Sequence, residues 1–192
     1  MAQENLNPWK ILDHTTVYES DWIMVTKNNV INPAGNPALY SWVHFKNLAI
    51  GIVPMDKHKN IWLVGQFRFP INQYSWEIPE GGGKIGVAPV DSARRELQEE
   101  TGIKASKFQE FLRMHLSNSA TDELSISFLA TELEFHSPEP EESEVLQIKK
   151  IPLEEAYRLV LSGKITDAIS VASLQRLKLM DLSGELDLLL HG

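Results

Sequence analysis

Arg95-Glu96-Leu97-Gln98-Glu99-Glu100-Thr101-Gly102-Ile103 packs an arginine and three carboxylates into a short run and then ends on a glycine. Read as a helix, it places Glu96 and Glu100 four residues apart on one face, with Glu99 beside them. Like charges at that spacing destabilise a helix by about 0.2–0.5 kcal/mol per pair, so something cationic among them is favoured. Arg95 serves one carboxylate. A hard divalent cation, which takes oxygen ligands and prefers carboxylates together with substrate phosphates, serves the rest. Taken alone, an acidic helix face reads as a solvated surface; the flanking sequence changes that reading.

Upstream, Ile78-Pro79-Glu80-Gly81-Gly82-Gly83-Lys84-Ile85-Gly86 reads as a glycine-rich loop. Pro89 stands where a helix begins, Asp91 falls in its first turn, and Gly102 stands where it ends. Val90, Ala93, Leu97 and Thr101 give that segment an apolar stripe at helical spacing. Residues 15–26 and 38–46 are rich in β-branched and aromatic types and flank a turn-rich segment, which predicts a meander. Residues 48–54 and 61–69 read as two strands around a turn at Asp56–Asn60. Further strands are predicted at 108–116, 124–133 and 145–151, a proline- and glutamate-rich loop at 137–143, and two helices at 152–162 and 166–180. Strands, a helix, strands and then helices predict an α/β/α sandwich on a mixed sheet, preceded by an N-terminal strand region.

The chain has 192 residues, a length suited to one domain with a small appended element. Its hydrophobic content of 43% and charged content of 23% are those of a globular protein. A net charge of -8 argues against a nucleic-acid partner, which calls for a basic patch. It leaves a nucleotide substrate open, because a bound metal inverts the local charge logic. With no cysteine, disulfides, thiolate zinc sites and cysteine nucleophiles are excluded. The start, MAQENLNPWK, lacks a basic region followed by an apolar run, and no apolar stretch approaches membrane-spanning length. The expectation is a cytoplasmic protein with no membrane partner. The six histidines show no HxxxH or HExxH spacing.

The segment 81–103 resembles the Nudix box, the signature of hydrolases of nucleoside diphosphates linked to another group. That pattern runs glycine, five residues, glutamate, seven residues, then Arg-Glu-apolar-x-Glu-Glu-x-Gly-apolar. Gly81, Arg95, Glu96, Leu97, Glu99, Glu100, Gly102 and Ile103 fit it; Val87 stands where the first glutamate is expected. The resemblance implies a Nudix fold and Mg²⁺, with Mn²⁺ as an alternative. It implies Glu96 and Glu100 as metal ligands, Glu80 as a ligand through its backbone carbonyl, and Glu99 as a ligand or its close partner. Arg95 then orients a glutamate by a charge-assisted hydrogen bond, and Gly81 and Gly82 let the backbone approach metal and phosphate.

Beyond the box the chain looks similar to the ADP-ribose pyrophosphatase branch and its sugar-nucleotide relatives. Three features carry this: Gln66-Phe67-Arg68 at a strand end, the acidic loop with Glu142 and Glu144, and the segment GKITDAISVASLQRLKL. The resemblance implies that Arg68 contacts substrate phosphate, Glu142 is the general base and Glu144 a further metal ligand. Asn118 replaces a proline common in that branch, while Asp122-Glu123 persists; Asp122 is a candidate for holding a ribose hydroxyl, and Asp122, Glu123 and Glu99 are the other candidate bases. Trp22 and Trp76 are the candidates for stacking on a nucleobase. The implied organisation is residues 1–46 as a dimerising strand region and residues 47–192 as the hydrolase domain, in a homodimer. The implied activity is hydrolysis of a nucleoside diphosphate sugar, ADP-ribose to AMP and ribose 5-phosphate. The rival readings are a GDP-mannose or broad-range sugar-nucleotide hydrolase and a non-catalytic nucleotide sensor.

Overall fold

The computed structural model describes residues 6–137 and 146–191. It divides into two compact units: the chain up to Asn47 with Ser117–Glu123, and Leu48–Leu116 with Leu124 onward. The first unit is an antiparallel meander of β1 (Lys10–Glu19), β2 (Ile23–Ile31) and β3 (Pro37–Phe45). The predicted single stretch 15–26 is broken at Ser20, whose hydroxyl accepts the Trp22 and Ile23 amides and turns the chain. Asn32 organises the second turn, accepting the Ala34 and Asn36 amides on its side chain, while Gly35 takes φ +85°. The segment Ser117–Glu123 joins this unit through a parallel bridge from Thr121 to Val43 and through Tyr40, whose hydroxyl donates to the Ser119 carbonyl at 2.5 Å.

The second unit is built on a mixed sheet in the order β7-β4-β9-β8, with β4 (Asn47–Pro54), β7 (Glu80–Lys84), β8 (Ile103–His115) and β9 (Leu124–Phe135). β4 and β9 run parallel, and β8 returns antiparallel to β9. An antiparallel sheet holds β10 (Gln147–Pro152), β5 (Asn60–Arg68) and β6 (Gln73–Glu77). Side chains alternate across the mixed sheet, as a strand period of two requires. Ile50, Ile52, Ile126 and Phe128 pack on one face with Ala93 and Leu97 of α1 (Pro89–Thr101). Val53 and Leu129 pack on the other with α2 (Leu153–Leu161), α3 (Ala168–Ser183) and α4 (Glu185–His191). Two helical layers around a mixed sheet are the α/β/α arrangement predicted.

Two predictions fail locally. The glycine-rich segment 78–86 is no simple loop: Glu80–Lys84 pairs as edge strand β7. Gly81 and Gly83 permit this because their side-chain positions are occupied by Glu96 and Ile50. A Cβ on Gly83 would meet Ile50 Cγ1 at 2.6 Å. α4 was not anticipated either; Gly184, at φ +78°, ends α3 and a new turn begins at once.

Candidate active site

α1 begins on Pro89 with Asp91 in its first turn and stops at Gly102, whose left-handed φ of +67° turns its N–H back to the Gln98 carbonyl at 2.8 Å. Its buried face is Ser92, Ala93, Glu96, Leu97, Glu100 and Thr101. A solvated acidic face is therefore ruled out for two of the three glutamates: Glu96 is 9% exposed and Glu100 2%. Burying carboxylates is costly unless they are paired or coordinate a metal.

Arg95 is the hub of the outer side. Its guanidinium donates to Glu96 Oε1 at 2.5 Å, Glu99 Oε2 at 2.6 Å and the Gly82 carbonyl at 3.0 Å. It fixes two glutamates and the β7 backbone together. Behind it, the Glu80 amide donates to Glu100 Oε2 at 3.0 Å. Gly81 is required sterically: a Cβ there would lie 2.2 Å from Glu96 Cδ. We expect Gly81→Ala to push the Glu96 carboxylate aside with little loss of stability, because the far end of a side chain yields. The metal concentration for half-maximal turnover should rise about tenfold, as for losses around a metal's ligands. An unchanged metal requirement would detach Gly81 from the site.

Arg68, at the end of β5, is not left open to solvent. Its Nε and Nη2 hold the Glu77 carboxylate in fork geometry, at 3.1 to 2.5 Å, and Nη2 reaches Glu80 Oε1 at 2.7 Å. Glu77 and Asp167, neither of them singled out from the sequence, complete this corner: carboxylate oxygens of Glu77, Glu80 and Asp167 lie within 4.8 Å of one another. Burial first, then Asp167 and Glu77, push the Glu80 carboxyl well above the usual range, against the pull of Arg68. Its Oε2 is buried with no hydrogen-bond partner among the described residues. The signal for Asp167 was available: Asp three residues before Ser170 is a helix cap, and it accepts the Ser170 amide at 2.7 Å. Arg68, Ser75, Glu77, Glu80 and Asp167 line a cavity of about 380 Å³.

An oxygen-only donor set, with a glycine cradle that a Cβ would fill, fits a hard divalent cation. Val87 is on the exposed turn before α1 and brings no carboxylate. Glu142 and Glu144 lie outside the described residues.

In the first unit, Asp122 is engaged by His44, Nδ1 to Oδ2 at 2.5 Å, and by the Phe45 amide at 2.9 Å. Both of its oxygens thus have partners within that unit. Trp22 stands in the β1–β2 turn, 63% exposed. Trp76, in the second unit, is half-buried on Gly65, edge-on to Tyr74 at 5.7 Å. A different aromatic set meets around a cavity of about 280 Å³ in the first unit: Trp9, Tyr40 and Trp42, with Asn28 and Val30. Trp9 meets Tyr40 edge-on at 5.2 Å. Trp9 sits in a polar stretch, MAQENLNPWK, with no strand pattern to mark it in the sequence.

A buried pair of helical carboxylates, Glu96 tied to a glycine strand by Arg95 and Glu100 by the Glu80 amide, and an α/β/α sandwich define the class of metal-dependent hydrolases that carry the box described above. The NUDIX domain model matches residues 45–172, and the chain belongs to the Nudix family. It is 33% identical over 135 residues to ADP-ribose pyrophosphatase of Bacillus subtilis, covering 69% of this chain and 73% of that one. It is 36% identical over 127 residues to ADP-ribose pyrophosphatase of Mycobacterium tuberculosis, covering 65% and 61%. The crystal structure of an ADP compounds hydrolase superposes with a TM-score of 0.83 over 95% of this chain and 98% of that one, at 22% identity; that likeness is one of fold. Among the described residues no helix is long and apolar enough to cross a membrane.

Proposed function

We propose that this Nudix pyrophosphohydrolase splits nucleoside diphosphate sugars with the help of Mg²⁺, ADP-ribose giving AMP and ribose 5-phosphate. The observation that carries this is the burial of Glu96 and Glu100 on one face of α1, against β7. The relatives named ADP-ribose pyrophosphatases support the substrate class. In this reading Glu96, Glu100 and the Glu80 carbonyl hold the cation, with Glu144 as a further ligand. When bound, such a cation neutralises phosphate charge and acidifies a water. Arg95 keeps Glu96 and Glu99 in register with the Gly82 backbone. Arg68 carries positive charge to the cavity wall beside Glu80, where a substrate phosphate meets it. Glu142 accepts the proton of the attacking water, and Glu142→Gln should lower kcat far more than it changes KM. A silent variant would move the base to Glu99, Asp122 or Glu123.

The cavity around Trp9, Tyr40 and Trp42 supports nucleobase stacking in the first unit, in place of Trp22 and Trp76. A homodimer is supported by β1, exposed at every position, Ile11, Leu12, Val17 and Tyr18 included. A monomer by sedimentation would remove it. The substrate is settled by phosphatase-coupled phosphate release over ADP-ribose, GDP-mannose, UDP-glucose, dinucleoside polyphosphates and NADH. The expected result is the highest kcat/KM for ADP-ribose. A higher value for GDP-mannose would favour the alternative that Asn118 leaves open, and no release from any would favour a nucleotide sensor.

A further inference from the structure

At the other end of β5 from Arg68, the second unit holds a crevice that the catalytic reading does not use. Trp62 and Arg68 are six positions apart on that strand, which at about 3.3 Å per residue separates them by about 20 Å. The crevice measures about 390 Å³, within the range of small-molecule sites, about 300–1,000 Å³. Its wall carries one exposed ring, Phe135, backed by the buried Trp62. Phe135 is 60% exposed and leans on Trp62, ring centroids 5.3 Å apart and planes at 43°.

Three lysines surround that wall. Lys150 Nζ stands 4.7 Å over the Trp62 ring and pairs with Asp56 at 2.8 Å. Lys107 pairs with Glu132 at 2.9 Å. Lys57 lines the same crevice and makes no ion pair among the described residues. The two lining carboxylates are already engaged. Asp56 accepts from the His58 and Asn60 amides and the Asn60 side chain as well as Lys150. Glu132 accepts from Ser106 and Lys107. One cation is therefore in excess.

Glu132 adds a backbone signal. It takes φ +58° within β9, a left-handed conformation unusual for a strand residue without being glycine. Strain of this kind collects at ligand clamps and active sites.

We propose that this crevice is a second ligand site for an anion that carries a planar base, of the nucleoside monophosphate class. The base lies against the exposed Phe135 ring, which the buried Trp62 backs, and the phosphate meets Lys57 and Lys107. The ligand class follows from the crevice itself; its link to the products of catalysis rests on the reading above.

Isothermal titration into the full chain, in EDTA, tests this with AMP, ribose 5-phosphate and inorganic phosphate. AMP should bind at least tenfold tighter than the other two. Phe135→Ala and Lys57→Ala should each weaken AMP on the order of tenfold, as loss of a stacking ring or a phosphate contact does. Phe135 and Lys57 are both exposed, so these variants keep the fold, and thermal unfolding verifies it. AMP affinity indifferent to both substitutions overturns the site. Phosphate binding as tightly as AMP reduces it to a plain lysine patch and also overturns it. Because binding and not turnover is read, failure to hydrolyse ADP-ribose leaves this test intact.

Discussion

Glu100→Gln is expected to cut turnover about a thousandfold while the protein stays folded. The group is 2% exposed on the inner face of α1, and its Oε2 accepts the Glu80 amide at 3.0 Å. Glutamine preserves the shape and keeps an oxygen for that amide, so the link between α1 and β7 survives. What it removes is the negative charge. A cation that stabilises phosphoryl charge lowers the barrier by several kcal/mol, and about 1.4 kcal/mol corresponds to tenfold in rate. Loss of one charged ligand therefore projects to about three decades in kcat. Single-turnover kinetics with thermal unfolding on the same sample reads both quantities. Near-normal rates would remove Glu100 from the metal site.

Arg68→Ala is expected to cost about 2 kcal/mol of stability at neutral pH. Breaking a buried pair by removing one partner costs about 3–5 kcal/mol. Arg68 is 35% exposed, so solvent screening trims that range. Its partners are not so exposed: the Glu77 side chain is 3% accessible and that of Glu80 13%. Without the guanidinium, Glu77, Glu80 and Asp167 face one another with no cation among them. The pH dependence has a definite sign. Burial first, with Asp167 and Glu77, raises the folded Glu80 carboxyl above its ordinary 4.5. Stability from such a group is fully present below the unfolded value and is lost as pH rises through the folded one. Removing Arg68 raises the folded value further, so the deficit should be small near pH 4 and grow toward pH 7. Denaturant unfolding across that range, without divalent cations, measures it. A deficit that does not change with pH would mean that packing of the Arg68 stem, and not its charge, is what matters.

The limits of α1 were legible because they are local: Pro89 fixes φ at the start, Gly102 permits the left-handed φ that ends it, and the apolar stripe selects the face. Glu96 and Glu100 followed from i,i+4 spacing. The strand character of Glu80–Lys84 was not legible. Three consecutive glycines signal freedom in sequence, whereas here close approach to Ile50 and Glu96 consumes that freedom, which only the packed sheet reveals. Glu77 was hidden for a similar reason. Its partner Arg68 is nine residues away across the β5–β6 hairpin, and hairpin register decides whether they meet. Asp122 was hidden in the same way: its contacts with His44 and the Phe45 amide span more than seventy positions, which only the fold brings together.

The most direct measurement is ADP-ribose turnover by the purified chain with Mg²⁺, after EDTA, and after Mg²⁺ is restored. The account predicts AMP and ribose 5-phosphate in the first and third conditions and none in the second. Intact ADP-ribose in Mg²⁺, or cleavage that EDTA leaves untouched, would contradict it.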